Sequence, residues 1–193
     1  MSAWTSLDAF DREAFLAING LHAPWADVLM EAVSAMLVWF PLYAFFLYLL
    51  QRRFGWKAFA WSVLVVALMV LCSDKGSVVL FKETVQRLRP CHEPQLAGLV
   101  HLVPEGCGGS YGFISSHASN HFAIALFMIG ALRLRTRLAL ALIAWAGLIA
   151  YSRVYLGVHY PGDVLVGALY GGLIGAIFAR LHQRLMQRLA TTA

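Results

Sequence analysis

The chain has 193 residues, 60% of them hydrophobic and 13% charged, with a mean hydropathy of +0.68, against roughly 45–50% apolar and roughly 25% charged in an ordinary soluble domain. That balance excludes a water-soluble globule: at about 20 residues per crossing, the length accommodates five or six membrane spans and no second soluble domain. The formal charge of +5 therefore bears on membrane sidedness, and no nucleic-acid partner is expected.

Residues 1–27 hold four acids, two Trp and one Arg, with neither a basic n-region nor a long apolar core, so no secretory signal peptide is evident. Trp4, Leu7, Phe10, Ala14, Phe15 and Ile18 recur at helical spacing. They predict a short amphipathic helix at the membrane interface, with a frayed terminus as the alternative. Apolar stretches over about 28–50 and 56–81 predict two spans. Residues 82–116, rich in Gly, Pro and Cys, read as an extramembrane loop. The span over about 117–134 is apolar mainly after His121, so its polar opening turns must face protein or an aqueous pocket. Two more spans follow at about 138–154 and 162–180. The predicted fold is all-α, a single domain over 1–193: a polytopic bundle of about five transmembrane helices plus the N-terminal interfacial helix.

Five spans sort the charges. Arg52, Arg53, Lys57, Arg133, Arg135, Arg137, Arg180, Arg184 and Arg188 fall on one side, nine basic residues with no acid. The other six basic residues and all ten acids, a net of −4, fall on the opposite side or its span ends. The positive-inside rule makes the first side cytoplasmic, so the N-terminus, the 82–116 loop and the 153–163 turn face the periplasm or exterior of a bacterial inner membrane. Cys91 and Cys107 bracket the outward loop, where an oxidising compartment would allow a disulfide, two free thiols being the alternative; Cys72 reads as core packing.

Three polar groups lie on the outward side. Lys82 and Arg89 are seven apart, two helical turns, and so project from one face, which Lys75 extends; Pro90 then ends the helix. Such cations need an anion, or else snorkel to lipid headgroups. Ser115, Ser116 and His117 open a span after Cys-Gly-Gly-Ser-Tyr-Gly, where a serine cap and the free N–H groups of a helix start form an anion site; taken alone, His117 reads first as a satisfied interfacial histidine. His159 and Asp163 follow Arg153, four apart, close enough for the carboxylate to orient one imidazole nitrogen and activate the other. Three cations with helix-end N–H groups suit a phosphoryl group, and two histidines suit a nucleophile and a general acid. A metal site is poorly supplied with ligands, and no cofactor is expected.

In these blocks the chain resembles the type 2 phosphatidic acid phosphatase (PAP2) superfamily, whose signature is K-x6-RP, then PSGH, then SR-x5-H-x3-D. Lys82 through Arg89-Pro90 match the first block, and Ser152-Arg153 through His159 to Asp163 match the third, at full spacing. In the middle block Ser115 and His117 match, while Ile114 replaces proline and Ser116 glycine. The resemblance implies a metal-independent membrane lipid phosphatase. In it His159 attacks phosphorus and becomes phosphohistidine, Asp163 orients it, and His117 protonates the leaving oxygen. Lys82, Arg89, Arg153, Ser115 and the Ser116 N–H hold the phosphate. Arg87 and Glu83 fall outside the motif and are expected to be solvated. Undecaprenyl diphosphate is the first expected substrate, lipid A the second and phosphatidylglycerol phosphate the third. A phosphotransferase or a non-catalytic lipid-binding or transport protein are the rivals; the related vanadium haloperoxidases are soluble.

Elsewhere, Gly167, Gly171 and Gly175 form a small-residue stripe suited to close helix packing, within the bundle or between copies. Trp25, Trp39, Trp56 and Trp61 are expected interfacial anchors, and the basic tail suits an anionic leaflet. The oligomeric state is open.

Overall fold

The computed structural model describes residues 3–103 and 106–191. Two helices open the chain, α1 (Ala3–Asn19) and α2 (Pro24–Ser34), followed by a 3-10 turn (Met36–Trp39) and α3 (Phe40–Gly76). A π-helical turn (Ser77–Lys82) leads into the single turn α4 (Glu83–Val85), and α5 (Ser116–Leu132), α6 (Thr136–Tyr155) and α7 (Pro161–Thr191) complete the fold. An isolated bridge joins Leu88 to Tyr111, and no strand forms among the described residues.

As one straight rod the 37 residues of α3 would run about 55 Å, nearly twice the ~30 Å of a bilayer's hydrocarbon core. Gly55, at φ 78 and ψ 170, breaks it, a conformation open to glycine and costly for other residues. The two halves return alongside one another, since Leu47 and Leu50 line a cavity together with Val66 and Met69. With α5, α6 and α7 they form a five-helix bundle among the described residues. The stretches Met36–Val85, Thr136–Tyr155 and Pro161–Thr191 are long and apolar enough to cross a membrane. The shorter α5 is the central helix, packed most extensively on α7 and also on α6 and α3. A Cβ at Gly167 would lie 2.7 Å from the Ser115 carbonyl oxygen, and at Gly171 and Gly175 it would collide with the Ser119 and Ala123 backbone. The glycine stripe therefore serves packing inside the bundle.

Three local expectations change. The predicted span over 28–50 is two helices: α2 ends at Ser34, and the chain turns through Met36–Trp39 before α3 starts. Pro41 fits the first turn of α3, where its missing N–H costs nothing, and the Trp39 indole donates back to the Val33 carbonyl at 2.8 Å. Trp39 is packed edge-on against Trp145 at 5.7 Å rather than exposed as Trp25, Trp56 and Trp61 are. Cys72 is exposed on α3 rather than packed in the core.

The amphipathic α1 forms, with Leu7 and Phe10 exposed and Phe15 fully buried against the Tyr160 ring at 5.5 Å. The side chain of Trp4 lies outside the described residues. Asn19 ties the end of α1 to the body, donating to the carbonyls of His101 (2.8 Å) and Tyr155 (2.7 Å). At the far end of the bundle, Phe54 stacks edge-on with His182 at 4.9 Å and Gln183 donates to the Gly130 carbonyl at 2.7 Å. These contacts gather the Gly55 break, the α5–α6 turn and the tail of α7, which carry the nine acid-free basic residues, at one end.

Candidate active site

All three sequence groups meet at the opposite end, each delivered by the terminus of a helix. Lys82 ends the π turn, Ser115 caps α5, Arg153 sits in the last turn of α6, and Asp163 sits in the first turn of α7. Ser115 accepts from the Ala118 N–H at 3.4 Å, and its own N–H donates to the Asp163 carbonyl at 3.0 Å, which locks the start of α5 to the start of α7.

The His159 Nδ1 lies 3.3 Å from the Asp163 Oδ2, with both side chains buried. The same carboxylate oxygen accepts the Tyr160 N–H at 3.0 Å. On the other side of the ring, the His159 Nε2 lies 3.4 Å from the Arg89 Nη1. Burial first, then the charges of Arg89, Arg153 and Lys82, push the His159 imidazole well below its usual pKa. Burial and these charges favour the neutral ring, which has one nitrogen turned to a carboxylate and the other toward Arg89, an arrangement suited to nucleophilic attack on an anion.

Lys82 donates to the Ser116 hydroxyl at 2.9 Å, and the Ser77 and Ser116 hydroxyls pair at 2.6 Å. The serine that stands where the family motif has glycine therefore gives Lys82 a fixed partner. Arg153 donates through Nη1 to the Ser34 hydroxyl at the end of α2. The Arg89 Nε is buried with no hydrogen-bond partner among the described residues, a donor left open to a ligand. Gly112 closes over the site: a Cβ there would stand 3.0 Å from the Asp163 Oδ2 and 3.2 Å from the Arg89 Cγ. Arg89, His117 and Arg153 line one cleft of about 350 Å³, together with Glu31 and Ser34 of α2 and Gly106, Cys107 and Gly108. Cys107 is joined to Cys91 by a disulfide with Cα atoms 6.0 Å apart, so the cleft wall is covalently tied to the segment that follows Arg89.

Lys82 and Arg89 reach the site by a route that differs from the expected two helical turns. The helix stops at Val85, Gln86 is left-handed at φ 53, and Arg89 is extended at φ −69 and ψ 155, with its N–H on the Ser110 carbonyl at 3.0 Å. Lys75 does not extend the line; the wide π turn shifts the register, and Lys75 is exposed. Glu83 is exposed as expected, but Arg87 is not solvated: it donates to Asp163 Oδ1 at 3.1 Å, Asp11 Oδ2 at 2.7 Å and Asp8 Oδ1 at 2.8 Å. Sequence reasoning missed Arg87, Asp8, Asp11, Ser34 and Ser77. The available signal was the excess of acids in the N-terminal segment, which in so apolar a chain requires a buried cation nearby.

Among the described residues no group of three or more His, Cys, Asp or Glu side chains could hold a metal ion.

A family model described as the PAP2 superfamily matches residues 63–187. The chain is 38% identical over 164 residues to a lipid A 4'-phosphatase of Bacteroides thetaiotaomicron, covering 84% of this chain and 72% of that one. It is 35% identical over 159 residues to a lipid A 4'-phosphatase of Porphyromonas gingivalis, covering 81% of this chain and 66% of the relative. Among solved structures, LpxE of Aquifex aeolicus superposes with a TM-score of 0.63 at 26% identity, over 87% of this chain and 93% of that one. A transmembrane PAP2 type phosphatidylglycerolphosphate phosphatase of Bacillus subtilis superposes with a TM-score of 0.69 at 25% identity, over 93% and 87%. A helical membrane bundle whose three motif blocks converge on one buried His and Asp pair thus belongs to the PAP2 superfamily, as a membrane phosphatase.

Proposed function

We propose that this phosphatase removes a phosphate group from lipid A, at the sugar's 4' position. The carrying observation is the identity of 38% and 35% with two lipid A 4'-phosphatases across more than four fifths of the chain. Undecaprenyl diphosphate, the first expectation from sequence, finds no support among these relatives and gives way to lipid A. The nine acid-free basic residues gathered at the far end of the bundle support a periplasm-facing site in the inner membrane.

In this reading the His159 Nε2 attacks phosphorus, a P–N bond forms as the P–O bond to the sugar breaks, and His117 gives a proton to the departing oxygen. Water then attacks the phosphohistidine, losing its proton to His117, and inorganic phosphate leaves as the P–N bond breaks. Asp163 holds the imidazole Nδ1–H and stabilises the positive charge that grows on the ring. Lys82, Arg89 and Arg153, with Ser115 and the Ser116 N–H at the start of α5, balance the charge on the three equatorial oxygens. These groups complete the cycle without a metal.

The test is a panel of lipid A, undecaprenyl diphosphate and phosphatidylglycerol phosphate, offered to one detergent preparation with a chelator present. Lipid A should be turned over fastest, with loss of the 4' phosphate located by fragmentation in the mass spectrometer. Preference for either other lipid, or loss of the 1-phosphate instead, overturns the substrate assignment.

A further inference from the structure

We propose that Arg87 is a positioning residue for Asp163, and that the carboxylates of Asp8 and Asp11 on α1 in turn hold Arg87 in place. The proposal rests on the role given to Asp163 above.

The geometry divides the Asp163 carboxylate cleanly. Oδ2 serves the His159 Nδ1 and the Tyr160 N–H, while Oδ1 takes the Arg87 Nη1 at 3.1 Å. A carboxylate held at both oxygens cannot rotate about its last bond, so the edge presented to the imidazole is fixed. Arg87 is itself held on every side. Its guanidinium carbon lies 3.9 Å from the centroid of the Tyr160 ring, Nη2 reaches Asp8, and Nη1 is shared between Asp11 and Asp163. Asp8 and Asp11 stand three residues apart on α1 and so share a face. Asp11 makes a second connection, since its Oδ1 accepts the Gly162 N–H at 2.7 Å, next in sequence to Asp163. Arg12 steadies Asp8 at 2.6 Å and reaches Glu93 at 3.1 Å. The amphipathic N-terminal helix thus braces the back of the site, with Phe15 packed into the body and Leu7 and Phe10 left exposed.

Alternative roles fit less well. Arg87 has already placed its Nη1 and Nη2 donors on three carboxylates. It is therefore not a fourth phosphate ligand. A purely structural clamp between α1 and the bundle would not require contact with the one carboxylate that faces His159.

The charged groups facing Asp163 are Arg87, Arg89 and, farther off, Lys82, together with His159 and, across the shared Arg87 Nη1, the carboxylate of Asp11. Losing the Arg87 charge favours the protonated forms of the His159 and Asp163 pair, which moves the acid limb of activity to higher pH. The experiment compares Arg87→Met, Arg87→Lys, Asp163→Asn and the Arg87→Met/Asp163→Asn double variant on whichever lipid of the panel the native protein turns over, so a wrong substrate leaves the test intact. Arg87→Met should lower kcat about tenfold to a hundredfold, as expected for a charge-assisted hydrogen bond, with KM little changed. Its acid limb should move up, whereas Arg87→Lys, which keeps the charge but loses the fork, should lower kcat less and keep the limb in place. In the Asp163→Asn background, Arg87→Met should cost little more.

Losses that multiply in the double variant, an unshifted acid limb, or a change confined to KM overturn the proposal. If Arg87→Met does not fold, the same comparison is made with Arg87→Lys, whose loss of kcat must also vanish in the Asp163→Asn background. Full activity of Asp163→Asn alone overturns the reading of Asp163 itself, a distinct failure.

Discussion

Two cavities of the same size, each about 350 Å³, meet at Met36 and His117 and differ in chemistry. The outer cleft carries Arg89, Arg153, Glu31 and Ser34. The inner one descends between the two halves of α3 and α5, lined by Phe46, Leu50, Val66, Met69 and Ile124. Along α5 it runs from Ser116 to Met128, a rise of about 18 Å, which is somewhat more than half the ~30 Å hydrocarbon core. A polar and an apolar compartment are thus neighbours with His117 at the seam; in the proposed reading the first takes the phosphate and the second a lipid chain, so damage to one should be separable from damage to the other.

The largest expected effect comes from the polar compartment. His159→Ala should abolish phosphate release in detergent, and His117→Ala should reduce it by about a hundredfold to ten-thousandfold, the usual worth of a general acid. Both losses should extend to every substrate, long-chain or short. Activity surviving His159→Ala breaks the assignment of the nucleophile.

An intermediate effect tests the apolar compartment. Ile124→Trp narrows the inner cavity, and denying room to two or three methylenes at about 0.8 kcal/mol each should lower kcat/KM for a long-chain lipid roughly fifteenfold to sixtyfold. A short, water-soluble phosphate ester, which never enters that cavity, should be hydrolysed at the native rate. Equal losses on both substrates would show that the two compartments are not separable.

The smallest effect concerns pH. Burial and the three cations hold the His159 imidazole well below its ordinary value, so the neutral nucleophile persists as pH falls through the usual imidazole range near about 6.5. The acid limb of kcat/KM in the native enzyme should lie below that range. A limb centred there or higher would mean that the cations do not govern the ring.

The reacting and cationic side chains of the site were largely legible in the sequence and the apolar compartment was not. Lys82, Arg89, Ser115, His117, Arg153, His159 and Asp163 announce themselves because a charged or polar residue in so apolar a chain needs a specific reason. Their approach to one another did not follow from spacing, since a π turn and a left-handed Gln86 replace the expected two helical turns. The break after Ser34 was concealed by the unbroken apolar run from Met36 to Trp39, with Pro41 its only punctuation. Arg87 was hidden for a different reason: its partners Asp8 and Asp11 lie 79 and 76 residues away, and no local pattern links them.

The glycine stripe has a consequence beyond packing. α7 brings Asp163 and follows directly on His159, α5 brings Ser115, Ser116 and His117, and the two helices touch backbone to backbone at Gly167, Gly171 and Gly175. A side chain at any of these three positions would push α5 and α7 apart, and with them His117 in the first turn of α5 and Asp163 in the first turn of α7. The stripe acts as a gauge block for the chemistry, holding an alignment at positions as far as about 18 Å along the helix from the carboxylate it serves.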